Sequence, residues 1–285
     1  MKQRFQAVEL VMIVCLLLIS GIGVFYSAVL FEKTATNVYG DAVVLFGRGI
    51  YAYESLFKGP IFVGTDAVMI VLVGLYVSVL LWVKSELLKH TLKIGFLTIF
   101  LYYSASLAFG TMINSLFLLY IVVFGLTVYQ LIYALINYDY DRVKNHLHAV
   151  QLPKGLLVFL IIIALSVSVW LAEIVTVIIV QRPSAIIGMQ TTEPTFVLDL
   201  ALIAPACFIA FFTLKNKQPI GLVVAIMMLM LLAAIGVIVI AQTVTQRLFG
   251  VFIEPIEFIV FVLLFTVLSG FAVYYLKRCL AIIIA

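Results

Sequence analysis

Two aspartates, Asp66 and Asp199, each close the same short pattern: an arginine, twelve residues to a proline, then x-Phe-Val and the acid at the head of an apolar run. The copies read Arg48, Pro60, Phe62, Val63, Asp66 and Arg182, Pro194, Phe196, Val197, Asp199. A carboxylate carried into a bilayer costs on the order of 2.5 to 3.5 kcal/mol at the centre and less near the edge. Such a group faces a bundle interior or a watery cavity, where it handles an ion, a proton or a ligand. The plainer role is helical: an acid in the first turns is favoured by the helix dipole and locks packed helices. Both roles stand open for Asp66 and Asp199. Glu173 reaches a similar depth from the opposite direction, and Glu257, in Glu254-Pro255-Ile256-Glu257, reads first as an ordinary helix start. Arg48, Arg182 and Arg247 are the available counter-charges.

The elements that must carry these groups follow from composition. Of the 285 residues 66% are hydrophobic and 11% charged, with a mean hydropathy of +1.29, whereas soluble domains carry about 25% charged residues. A span needs roughly 17 to 25 apolar residues, and that window gives eight: about 8–31, 60–83, 94–114, 116–137, 155–181, 195–214, 220–246 and 256–276. The expected fold is an all-α polytopic transmembrane bundle in one integral membrane domain, 1–285. Met1-Lys2-Gln3-Arg4 and the run after it read as a retained first span, since a signal h-region is only about 7 to 15 residues long.

Loop charges orient the bundle. Twelve of the 17 Lys and Arg fall on the side that holds both termini, which places the termini in the cytoplasm. Nine of the 13 Asp and Glu fall on the other side. The basic balance is thus a matter of topology, and nucleic acid is not an expected partner. Cys15, Cys207 and Cys279 have no Cys-x-x-Cys spacing, His146 and His148 do not share a helix face, and no Gly-rich phosphate loop is present. No metal, cofactor or catalytic nucleophile is indicated. Residues 139–148 read as a solvated cytoplasmic loop.

Division near Leu152-Pro153 leaves four spans in each half, 1–150 and 151–285, with the same order of loops. Because four is even, the halves point the same way, as in transporters built from parallel repeats. Ile94-Gly95 and Ile220-Gly221 match at the start of each third span. The copies differ in that proline to aspartate is six residues in one and five in the other, which turns a helix by about 100°. The aspartates therefore need not face the same place. The outer loop 32–59, with Tyr39, Phe46, Tyr51, Tyr53 and Phe57, reads as a short helix on the membrane surface or as a lid over a pocket. In the third span Ser106 and Gly110 form a small-xxx-small face, Tyr102, Tyr103 and Asn114 offer polar groups, and Pro205 is expected to kink the sixth span.

Arg48-Gly49-Ile50-Tyr51-x-Tyr53-Glu54-Ser55-Leu56-Phe57, Asp66, Asn114-x-Leu116-Phe117-Leu118-Leu119-Tyr120 and Leu198-Asp199-Leu200 with Pro205 carry a resemblance. The chain resembles a widespread family of uncharacterised bacterial multi-span, eight-helix integral membrane proteins, and departs from it where a more polar residue is expected at Gly64 or Thr65. The resemblance implies a bacterial cytoplasmic membrane location and a role for Arg48, Glu54, Asp66 and Asp199, and supplies no activity.

Three functions fit. The leading one is a transporter-like or small-ligand-binding protein, its carboxylate-lined pocket open to an ion, small molecule or lipid from the outer side. The second is a structural or accessory subunit with a membrane protein partner, and the third an intramembrane enzyme using carboxylates.

Overall fold

The computed structural model describes residues 2–26, 28–31, 33–182 and 185–284, apart from the side chains at 2–6, 185, 257 and 261. In chain order the elements are α1 (Lys2–Phe25), β1 (Thr34–Thr36), β2 (Ala42–Val44), α2 (Lys58–Trp82), α3 (Glu86–Gly110), α4 (Phe117–Ile136), α5 (Tyr140–Ala149), α6 (Leu156–Ser166), α7 (Val169–Val180), α8 (Pro194–Leu198), α9 (Ala204–Lys215), α10 (Pro219–Leu248), α11 (Pro255–Glu257) and α12 (Leu264–Ile284). Among the described residues eight helical stretches are long and apolar enough to cross a membrane. The fifth joins α6 to α7, the sixth α8 to α9, and the eighth runs from Phe258 through α12. The chain is an all-α integral membrane bundle in contact with a lipid bilayer.

Helix ends lie where local chemistry sets them, not where hydropathy fades. Ser85 caps α3, its hydroxyl accepting from Leu88 N–H, so the helix begins at Glu86, eight residues before the expected start. Proline stands at the start of α8 and α10, where its missing N–H costs nothing. Segment 139–148 is not a loop. Asp139 caps α5 by accepting from Arg142 N–H at 3.0 Å, and Val143 and Leu147, one turn apart, are buried. This spacing gives a short polar segment one apolar stripe, and α5 lies against α10 and α12.

The long α10 is the axis of the bundle, packing against α2, α3, α9 and α12. Around it α1 packs on α2 and α4, α3 on α4, and α6 on α9. Phe159 of α6 meets Phe271 and Tyr275 of α12, with the Tyr275 ring stacked at 5.0 Å. Close approach depends on small residues: a methyl group at Gly110 would sit 2.8 Å from the Pro194 ring where α3 meets α8. By contrast α7 has no buried residue.

The outer loop is neither a helix on the membrane nor unstructured. It forms the antiparallel hairpin β1–β2, with Thr34 opposite Val44, followed by a single 3-10 turn at Gly49–Tyr51. Gly49 has φ of +59° and lies against the Tyr26 carbonyl, a conformation and a clearance that side-chain-bearing residues rarely meet. The turn aims Tyr51 down into the bundle.

Towards the termini, three helices share one polar cluster. Glu9 of α1 accepts from the Tyr76 hydroxyl of α2 and pairs with Lys93 of α3 at 2.7 Å. Removing one member leaves a charge with no partner in apolar surroundings. Glu9→Ala is expected to cost about 3 kcal/mol of stability, and the double change Glu9→Leu with Lys93→Leu to recover most of it. Reversible unfolding in detergent measures both, and equal losses would contradict the ion-pair assignment.

Candidate functional site

Asp66 is fully buried on α2. Its carboxylate accepts from the Tyr51 hydroxyl at 2.6 Å and from the Tyr103 hydroxyl at 2.5 Å. Tyr51 stacks on Phe62 one turn above, with ring centroids 5.1 Å apart. On the remaining side Gly23 of α1 presses close enough that a methyl group there would collide with the carboxylate. Asp66 thus joins α1, α2, α3 and the outer loop at one point and is closed off from open space.

Asp199 has a different setting. It begins a five-residue π-helical segment, Asp199–Ile203, between α8 and α9, and Pro205 follows directly. The expected irregularity at Pro205 therefore takes the form of a wider turn, a feature found frequently at functional sites. The Asp199 carboxylate accepts from the Tyr102 hydroxyl at 2.9 Å and from the Trp170 indole N–H at 2.7 Å. Neighbouring residues on α3 point about 100° apart, so Tyr102 and Tyr103 serve one aspartate each.

Asp199 lines a cavity of about 280 Å³ enclosed by α2, α3, α6, α10 and α12 together with α8 and its π segment. The wall from Gln246 to Met228 on α10 covers about 27 Å of helix at 1.5 Å per residue. Most of it is apolar, through Ile99, Leu231, Ile235, Val262 and Phe265. Polar groups gather at the end away from the termini: Lys58, Glu193, Thr195, Gln242 and Gln246. A second π segment, Phe258–Leu263, contributes Val262 to the same wall.

Comparison with known proteins yields no match. No family model, curated protein or solved structure matches the chain. The site must be read from its own geometry.

Above the cavity Lys58 is buried and pairs with Glu193 at 2.6 Å, and it also donates to the Gln190 side-chain carbonyl. Gln190 in turn donates to Glu54 at 3.0 Å and to the Gly110 carbonyl, while Glu54 accepts from Met112 N–H at 2.5 Å. The two outer loops are stitched further by Asn37 donating to the Gly188 carbonyl and Tyr39 to that of Thr191, both at 3.1 Å. Glu54 is 1% exposed, and burial pushes its carboxyl up to about 7 against the opposing pull of Met112 N–H, Lys58 and Gln190.

The structure holds Asp66, Asp199 and Glu54 in three separate sets of hydrogen bonds, the two aspartates supported by adjacent tyrosines of α3, and leaves the other expected residues outside them. Glu173 is on α7, away from the cavity lining, so three acids do not converge. Arg48 and Arg182 are exposed; Arg48 lies over the Phe249 ring at 5.8 Å and Arg247 over the Phe252 ring at 5.1 Å. Neither aspartate has an arginine among its hydrogen-bond partners. Exposed guanidinium groups keep their water, and phenol and indole donors hold the aspartates instead. The Glu257 side chain lies outside the described residues. Sequence reasoning missed Lys58, Glu193, Gln190 and Trp170. The available signals were a lysine beside Gly59-Pro60 at the mouth of a span, and one of only two tryptophans placed within an apolar run.

Because the folded state holds the Glu54 proton more tightly than the unfolded chain does, this group favours folding below the ordinary carboxyl range. That contribution is lost as pH rises through about 7. The thermal midpoint of the purified protein is therefore expected to fall between about pH 5 and pH 8, and Glu54→Gln to flatten that fall. An unchanged slope in Glu54→Gln would place the titration elsewhere.

Proposed function

We propose that the protein is a ligand-binding membrane protein of transporter type. It is built from two related four-helix halves, 1–150 and 151–285, with its cavity between them and the polar end of that cavity towards the outer side of a bacterial cytoplasmic membrane. The carrying observation is the apolar cavity into which Asp199 projects from a π segment. The two-halves reading draws support from matched packing. The α1–α2 pair corresponds to α6–α9, α3–α4 to α10–α12, and α1–α4 to the ring contacts of Phe159 with α12, while α3 and α10 pack on each other at the centre. Ligand sites of repeat-built transporters lie at such junctions.

The geometry gives less to the enzyme reading. A carboxylate acid–base pair needs two groups facing one substrate. Asp66 is closed against Gly23 and the two phenols, and Glu193 is held by Lys58 and by Thr195. A subunit role in a larger complex is favoured by one feature, α7, whose apolar residues Val175, Ile178 and Ile179 are exposed and which carries Glu173.

Ile235→Trp, on the α10 wall, is the deciding variant, because it fills the cavity without touching a polar group. Small molecules extracted from the purified wild-type protein and identified by mass spectrometry should include an amphiphile that Ile235→Trp lacks, with both proteins unfolding at similar temperature. Identical extracts would defeat the proposal. Co-purification of a stoichiometric membrane partner that is lost on Ile178→Lys would instead establish the subunit role.

A further inference from the structure

The ligand class follows from the charges at the cavity, and this step rests on the ligand-binding reading above. Three ionisable side chains line the walls at their polar end: Lys58, Glu193 and Asp199. Lys58 and Glu193 neutralise each other at 2.6 Å. In its ionised form Asp199 is the excess negative charge, 5% exposed and with no ion-pair partner among the described residues. A carboxylate offers about four acceptor positions, of which the Tyr102 hydroxyl and the Trp170 indole fill two. An ionised acid in apolar surroundings is stable only when paired.

The surroundings specify what would pair with it. Trp170 packs on Phe196 with ring centroids 5.0 Å apart and, like Tyr102, presents its donor edge to the carboxylate, so apolar aromatic bodies border the acid and leave a cationic head as the partner that neutralises it. Below this group the wall of Ile99, Leu231, Ile235 and Phe265 offers only apolar contact. We infer that the cavity takes an amphiphilic organic cation, with an ammonium head on Asp199 beside the aromatic rings and an apolar tail along α10. The same ammonium chemistry is offered by two sources, an aminophospholipid of the membrane or a long-chain amine from solution.

The test uses the full chain in nanodiscs of phosphatidylglycerol, which carries no ammonium group. Trp82→Phe removes the exposed second tryptophan and leaves Trp170 as the reporter beside Asp199. Dodecylamine, dodecanol and dodecyl sulfate are titrated against Trp170 emission. Dodecylamine should bind at least about tenfold more tightly than the other two, a difference worth one ion pair, and Asp199→Asn should abolish that preference while Asp199→Glu retains it. Equal binding of dodecylamine and dodecanol by the wild type overturns the inference, and this comparison does not depend on any variant folding. If dodecanol binds equally well and Ile235→Phe, which adds no second tryptophan, blocks it, the cavity reading survives and the cation is wrong. If no probe binds, both fall. Displacement of dodecylamine by added phosphatidylethanolamine identifies the membrane as the source, and its absence identifies the soluble amine.

Discussion

A carboxylate inside an apolar slab must have its lone pairs filled by the protein, because no water is there to do it. Much of the architecture of this chain follows from that requirement. Asp66, Asp199 and Glu9 each accept from an aromatic hydroxyl and take a second donor: a further phenol for Asp66, an indole for Asp199 and the Lys93 ammonium for Glu9. Phenol and indole suit the task, since each brings a large apolar body and a single donor, so little else needs hydration. An arginine would bring five donors and a fixed charge, and most of those donors would remain unfilled.

The donors also decide which helices touch. Asp66 reaches α3 through Tyr103 and the outer loop through Tyr51, and Gly23 lets α1 close over it. Asp199 reaches α3 through Tyr102 and the base of α7 through Trp170. Two consecutive tyrosines thus make α3 the shared support of both acids. The outer layer adds a second tie: Lys58, Gln190, Glu193 and Glu54 join residues more than a hundred positions apart and fix one outer loop on the other.

How much of this the sequence disclosed depends on the range of the interaction. Spans were legible because hydropathy is local, and their number agrees with the eight helices found. Asp66 and Asp199 were legible as costly groups in apolar runs, and Tyr102 and Tyr103 as polar groups on the third span. The Lys58–Glu193 pair was not, because a lysine and a glutamate at span ends look like solvated charges until the fold joins them across 135 positions. Glu173 misled because depth fixes a level in the membrane and not a direction, and α7 carries this residue away from the other two. The hairpin in the outer loop was hidden by its aromatics, which equally suit a membrane surface. Stripe spacing at Val143 and Leu147 was readable as an amphipathic helix, but the surrounding charges masked it.

The unequal fates of the two aspartates trace to unequal loops. On the reading of two related halves, Asp66 and Asp199 began as equivalent acids near the outer ends of equivalent spans. The loop ahead of α2 is long enough to form a hairpin and a 3-10 turn, and that turn drives Tyr51 down onto Asp66. The loop ahead of α8 runs only from Gln181 to Glu193 and delivers no phenol to Asp199; its second donor comes instead from Trp170, just past the break at Ser168 on its outer side. One carboxylate is closed by its own loop and becomes a lock between helices. The other, held from the side by an indole and released from regular helix by a π turn, keeps a face on the cavity. On that reading, the longer loop closes Asp66 into the helix packing and the shorter one leaves Asp199 facing the cavity.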